Sequence, residues 1–124
     1  KVHMLTRTPV SKVYRSDSED YGKTWCEAYE TDLLNSNSGL DLVKTPDGAI
    51  YLVSNPVGGN WGERSPLTLQ KSTDNGATWE TILTFEEEKL DSEFSYPAVE
   101  YMNGSLYVTY TYERINVAFW KIDL

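Results

Sequence analysis

Cysteine, histidine and long apolar segments are scarce in this sequence. The single cysteine, Cys26, excludes an internal disulfide, and the single histidine, His3, is too little for a zinc site built from Cys and His. No segment approaches the roughly 20 consecutive apolar residues of a transmembrane helix. No Gly-rich loop precedes a helical segment, as a phosphate-binding loop would require. The sequence therefore predicts no disulfide framework, no metal site and no other cofactor.

Positively charged residues are also scarce. Eleven Lys and Arg residues stand against nineteen Asp and Glu residues, which gives a formal net charge of −8 at pH 7. A strongly acidic surface repels polyanions, both nucleic acids and anionic membrane surfaces. We therefore expect neither nucleic acid nor a membrane as a partner. The acidic segment 86–93 is expected to be solvated.

Helical periodicity is almost absent, and short alternating segments take its place. These segments are rich in β-branched and aromatic residues, which is typical of strands. Asp47-Gly48 and Asn103-Gly104 are typical of two-residue hairpin turns. The pattern predicts an all-β protein. The predicted strands are residues 2–8, 12–18, 26–31, 39–45, 49–55, 67–72, 80–85, 95–102, 105–112 and 115–124.

One eight-residue pattern occurs twice. SEDYGKTW (residues 18–25) and STDNGATW (residues 72–79) share Ser-x-Asp-x-Gly-x-Thr-Trp at an interval of 72 − 18 = 54 residues. In a tight turn the Asp can accept hydrogen bonds from backbone N–H groups, and the Gly can supply a positive φ. The Trp can pack the turn onto the apolar layer of a sheet. Two copies in register indicate an internal repeat of one structural unit.

This pattern resembles the Asp-box, or bacterial neuraminidase repeat, of sialidase-type β-propellers. The resemblance implies four-stranded antiparallel blades, with each box on the turn between the third and fourth strands, away from the active site. It divides the chain into blade pieces 2–31, 39–85 and 95–124, a single partial propeller domain over 1–124 with about two and a half blades. Each end piece lacks a strand, so we expect the missing remainder of the propeller, or a second chain, as a partner.

Several arginines are expected on the face opposite the boxes. Because strands alternate in direction, alternate turns lie on opposite faces, which groups Arg7, Arg64, Glu113 and Arg114 with the segment 35–38. The planar guanidinium fork matches the two oxygens of a carboxylate. On charge alone, the alternative is ordinary pairing of these arginines with surface carboxylates of this acidic protein.

The resemblance gives these residues roles. It implies that Arg7 and Arg64 are two members of the carboxylate-binding arginine triad, with Tyr96 as the unusual nucleophile and Glu113 as a nearby catalytic carboxylate. Counting back from the Asn-Gly turn, however, places the family's Tyr position nearer to Ser95, one residue away and on the other face of a strand. The remaining predicted substrate-binding residues are Asn37, Trp61 and Arg114.

The predicted function is the C-terminal part of a sialidase-like glycoside hydrolase that acts on acidic-sugar glycans. Three alternatives remain open: a non-catalytic Asp-box module that binds glycan or protein, a uronate-directed polysaccharide lyase, and a structural fragment with no activity. The family's activating Glu, acid Asp and first triad Arg belong before Lys1, so this chain alone is expected to be inactive. His3, in mid-strand, is expected to pack rather than to act as a base. The resemblance favours a secreted or periplasmic location.

Overall fold

The computed structural model describes residues 1–124 and consists of strands, turns and loops. The ten strands are β1 (Val2–Thr6), β2 (Lys12–Ser18), β3 (Tyr29–Leu34), β4 (Asp41–Lys44), β5 (Ile50–Ser54), β6 (Leu67–Ser72), β7 (Glu80–Glu86), β8 (Phe94–Met102), β9 (Ser105–Tyr112) and β10 (Asn116–Asp123). No helix is present, and hence none that is long and apolar enough to cross a membrane. The all-β prediction is confirmed.

The strands form three antiparallel sheets in sequence order. The first sheet has the order β1-β2-β3, the second β4-β5-β6-β7 and the third β10-β9-β8. Every neighbouring pair is antiparallel. One complete four-stranded sheet between two three-stranded sheets is the arrangement of a β-propeller fragment of about two and a half blades, as predicted.

The hydrophobic core lies mainly between the second and third sheets. Strand β5 is buried at every residue, because its sheet is covered on both faces and therefore carries a continuous apolar run. A smaller cluster of Val13, Leu33 and Leu52 fills the space between the first and second sheets. The main cluster comprises Ala49, Tyr51, Val53, Leu67, Leu69, Phe85, Phe94, Val99, Leu106, Val108 and Tyr110.

The third strand differs most from its predicted range of 26–31. The amide of Cys26 donates to the carbonyl of Asp17 at 3.0 Å, and the hydroxyl of Ser16 donates to the carbonyl of Cys26 at 2.8 Å. These bonds continue the turn past the box, so the strand begins only at Tyr29. It runs on to Leu34 because Leu33 is needed in the core between the sheets.

The two boxes close their turns with the same set of hydrogen bonds. In the second box, the hydroxyl of Ser72 accepts from the amide of Gly76 at 2.9 Å and donates to Asp74 Oδ1 at 2.7 Å. The Asp74 carboxylate in turn accepts from the amide of Thr78 at 2.9 Å and from its hydroxyl at 2.5 Å. The first box repeats these four contacts through Ser18, Asp20, Gly22 and Thr24.

The box carboxylates predict a loss of stability in acid. Hydrogen bonds from Thr24 lower the pKa of Asp20 to about 2, and hydrogen bonds from Thr78 lower the pKa of Asp74 to about 2. In the unfolded chain an Asp titrates near a pKa of about 3.9. Because the folded-state pKa is the lower one, the stabilisation is fully present above about pH 4 and is lost as the pH falls through about 2.

We therefore expect the urea midpoint of unfolding to fall between about pH 4 and pH 2. The double variant Asp20→Asn with Asp74→Asn should have a lower midpoint at neutral pH and a flatter acid profile. An equally steep acid profile in that variant would show that the boxes are not the source of the dependence. Urea titrations monitored by tryptophan fluorescence measure both quantities.

Candidate functional site

The loops opposite the boxes form one rim of the molecule, here called the upper rim. It consists of Arg7 and residues 35–40, 55–66, 87–93 and 113–115, which connect strand ends on the side away from the two boxes. Contacts join these loops from one sheet to the next, since Asn37 Nδ2 lies 3.0 Å from Asn60 Oδ1 and the amide of Phe94 donates to the carbonyl of Arg64 at 3.0 Å.

The long loop 55–66 is packed tightly against the preceding rim segments. A Cβ atom at Gly62 would lie 2.6 Å from the carbonyl oxygen of Gly58 and 3.1 Å from Cβ of Ser36. The amide of Gly59 donates to the hydroxyl of Ser11 at 2.8 Å. Such close approaches require glycine and hold the loop in one shape. The loop carries Trp61, with an exposed side chain, and Arg64.

Tyr96, near the start of β8 and next to the upper rim, lies close to two arginines. Its side chain is 54% exposed, and Cζ of Arg64 lies 5.1 Å from the centroid of its ring, within the range of a cation–π contact. The Arg64 guanidinium is the main cause that lowers the pKa of the Tyr96 phenol; burial opposes it, and the Arg7 guanidinium adds a weaker lowering. The structure therefore brings Arg7, Arg64 and Tyr96 together.

A bulge in β8 determines which residue faces the rim. The register with β9 shifts between Ser95 and Ala98, so two residues of β8, Tyr96 and the one after it, lie opposite a single residue of β9. Ser95 is fully buried and donates to Glu93 Oε1 at 2.8 Å, whereas Tyr96 is turned outward with a φ of 51°. The counting argument that favoured Ser95 assumed a regular strand, and the bulge removes that assumption.

Glu93 is a site residue that the sequence interpretation missed. The acidic segment was expected to be solvated, which is wrong for Glu93, since its side chain is only 21% exposed. Its carboxylate accepts from Arg64 Nη1 at 3.1 Å, from Arg114 Nε and from Arg114 Nη2 at 3.2 Å. The hydrogen bond from Arg114 lowers the pKa of Glu93 most, with Ser95 and Arg64 adding to the effect against burial. Several arginines converging on one rim of an acidic protein were the available signal for such a carboxylate.

The other predicted site residues occupy different parts of the rim. Glu113 accepts from Lys89 Nζ at 3.1 Å and from the amide of Glu93 at 3.3 Å, so its carboxylate braces the loop that carries Glu93. The Lys89 contact is the main cause that lowers the pKa of Glu113. Arg114 is held by Glu93, close enough to Tyr96 for the phenolate charge to raise the pKa of Arg114 further.

His3 lies on the opposite rim, in a polar cluster beside the second box. Its Nδ1 is 2.5 Å from Asp17 Oδ1, and its Nε2 is 3.0 Å from Asn75 Nδ2. Arg15 joins the same cluster, with Nε donating to Asp17 at 2.8 Å and Nη1 donating to the Asn75 carbonyl at 2.8 Å. These contacts tie the first sheet to the second box. No group of three or more His, Cys, Asp and Glu side chains is arranged to hold a metal ion.

Comparison with known families agrees with the fold. The family model described as BNR repeat-like domain matches residues 1–108, most of the 124-residue chain. No curated protein matches the chain. The matched region contains both boxes, the first two sheets and most of the third. The chain belongs to the BNR repeat-like domain family, and it is a sialidase-like BNR β-propeller fragment.

Proposed function

We propose that the upper rim binds the carboxylate of an acidic sugar, within a sialidase-like glycoside hydrolase. The observation that carries the proposal is the convergence of Arg7 and Arg64 on the Tyr96 phenol, in a chain with a net charge of −8. Cations collected at one point of an acidic protein favour an anionic ligand there, and an aromatic face beside them suits a sugar ring.

Each side chain has a distinct role in this proposal. Arg64 has one nitrogen occupied by Glu93, which orients the guanidinium and leaves its other N–H donors for a ligand oxygen. Arg7 is exposed on the same rim and supplies the second cation. Tyr96 approaches the sugar as a phenol, which a carboxylate ligand does not repel as it would repel a carboxylate nucleophile.

A binding module without catalysis is the second candidate function. A Tyr nucleophile needs a neighbouring carboxylate as base, yet the side chains that shift the pKa of Tyr96 most are the cations Arg64 and Arg7. Glu113 is engaged by Lys89 and by the amide of Glu93. This arrangement favours ligand binding by the arginines. Cleavage would require a base that these residues do not place beside Tyr96. A uronate-directed lyase would use the same arginines, so uronic acids belong among the tested ligands.

The proposal predicts discrimination between a sugar acid and its ester. N-acetylneuraminic acid or glucuronic acid should bind to the full chain about 10-fold or more tightly than its methyl ester, because charge-assisted hydrogen bonds contribute about 1.5–3 kcal/mol. Isothermal titration calorimetry at two salt concentrations measures the ratio, which should shrink at high salt. Equal affinities for acid and ester would contradict a carboxylate site.

A further inference from the structure

The Tyr96 ring is enclosed on a second side by a glycine. A Cβ atom added at Gly39 would lie 3.2 Å from Cδ1 of Tyr96 and 3.4 Å from its Cα atom. The 3.2 Å distance is tighter than most real Cβ contacts, so a methyl group at position 39 would push against the ring by a few tenths of an ångström. The ring therefore lies close to both the backbone of Gly39 and the guanidinium of Arg64.

Backbone conformation does not explain this glycine. Gly22 and Gly76 in the two boxes have φ values of 86° and 82°, which other residues rarely adopt. Gly39 is not among the positive-φ residues, so alanine could adopt its backbone conformation without strain. Tyr96 occupies the space that a side chain at position 39 would need.

Asp41, two residues after Gly39, holds the backbone on the far side of the bulge. Its Oδ2 atom accepts a hydrogen bond from the amide of Val99 at 2.9 Å, immediately after the register shift between Ser95 and Ala98. The start of β4 therefore contacts β8 at two points, through Gly39 at the Tyr96 ring and through Asp41 past the bulge. Together these contacts restrict both the ring and the backbone that carries it.

We propose that Gly39 and Asp41 are positioning residues that hold the Tyr96 ring against Arg64. The inference rests on the proposed function only in making Tyr96 a ligand-contacting residue, since the geometry itself requires no ligand. Gly39 leaves room for the ring, and Asp41 fixes the bulge that turns Tyr96 outward. A side chain at position 39, or loss of the Asp41 contact, lets the phenol move away from the two guanidinium groups that stabilise its ionised form.

The test follows the Tyr96 phenol directly in the full chain. Tyrosines carrying ¹³C at Cζ are titrated by NMR, and the Tyr96 signal is assigned by its absence in Tyr96→Phe. We expect Gly39→Ala and Asp41→Ala each to raise the pKa of Tyr96 from its lowered value toward the ordinary one. Asp41→Asn should preserve the lowered value, because the amide oxygen can still accept from Val99. Lys44→Ala, at the other end of β4, is the control and should leave the pKa of Tyr96 unchanged.

The outcomes separate this inference from the proposed function, because the titration needs no ligand. An unchanged Tyr96 titration in both Gly39→Ala and Asp41→Ala would overturn the positioning role, whatever the sugar affinities are. If Gly39→Ala does not fold, the comparison of Asp41→Ala with Asp41→Asn tests the positioning role. Equal changes in the pKa of Tyr96 in these two variants would also overturn that role. A raised pKa with the expected rescue by Asp41→Asn would support positioning even if no acidic sugar binds.

Discussion

Replacing Arg64 with alanine is expected to weaken acidic-sugar binding by about 10- to 150-fold, the equivalent of about 1.5–3 kcal/mol for hydrogen bonds to a charged group. Arg64 is held by Glu93 and lies over the Tyr96 ring, so its guanidinium has little freedom to lose on binding. Calorimetric titration of the full chain with N-acetylneuraminic acid or glucuronic acid measures the loss. The pKa of Tyr96 should rise in the same variant, because its main stabilising cation is gone.

Arg15→Ala is the matched control for this prediction. Both arginine side chains are 12% exposed and both pair with a carboxylate, but Arg15 lies beside the second box on the opposite rim. The two variants should therefore lose similar stability while only Arg64→Ala loses affinity. Arg64→Lys separately tests the contribution of the planar guanidinium group, since lysine keeps the positive charge but cannot donate two parallel hydrogen bonds to a carboxylate. Equal affinities in Arg64→Ala and Arg15→Ala would rule out the carboxylate site.

Replacing Phe94 with alanine is expected to lower the free energy of unfolding by about 3–5 kcal/mol. The Phe94 side chain is 2% exposed, belongs to the main core cluster and packs against Tyr112 with ring centroids 5.2 Å apart. Removing the ring leaves a cavity between the second and third sheets. Because small domains have a total stability of about 5–15 kcal/mol, this loss is a large fraction of the whole. Urea denaturation followed by tryptophan fluorescence measures it.

Phe119→Ala provides the comparison for the core prediction. Phe119 is on strand β10 and is exposed, so its removal should change the free energy of unfolding by no more than about 0.5 kcal/mol. The loss in the free energy of unfolding for Phe94→Leu should lie between the losses for Phe94→Ala and Phe119→Ala, because leucine retains part of the apolar volume of phenylalanine. A cost below about 1 kcal/mol for Phe94→Ala would show that the core relaxes around the missing ring, contrary to the packing described.

The elements of the fold could be predicted well because their signals are local. Strands β2, β6 and β9 begin and end at the predicted residues, since alternating side chains and adjacent turn residues define them. The boxes were recognisable because the hydrogen bonds that close their turns join residues at most four positions apart. The third strand was misplaced because its bounds depend on contacts of Cys26 and Leu33 with other parts of the sheet.

By itself, the sequence determined the all-β architecture, the repeated turns and the group of arginines on one rim, because period-two alternation and turn chemistry act over a few residues. Only the tertiary structure decided how that rim is assembled. Glu93 contacts Arg64, which is 29 positions away in the sequence, and Gly39, in the segment before β4, lies against Tyr96 of the third sheet. The bulge that turns Tyr96 outward is likewise set by the pairing of β8 with β9. Such contacts depend on distances between packed sheets, and no local pattern in the chain encodes those distances.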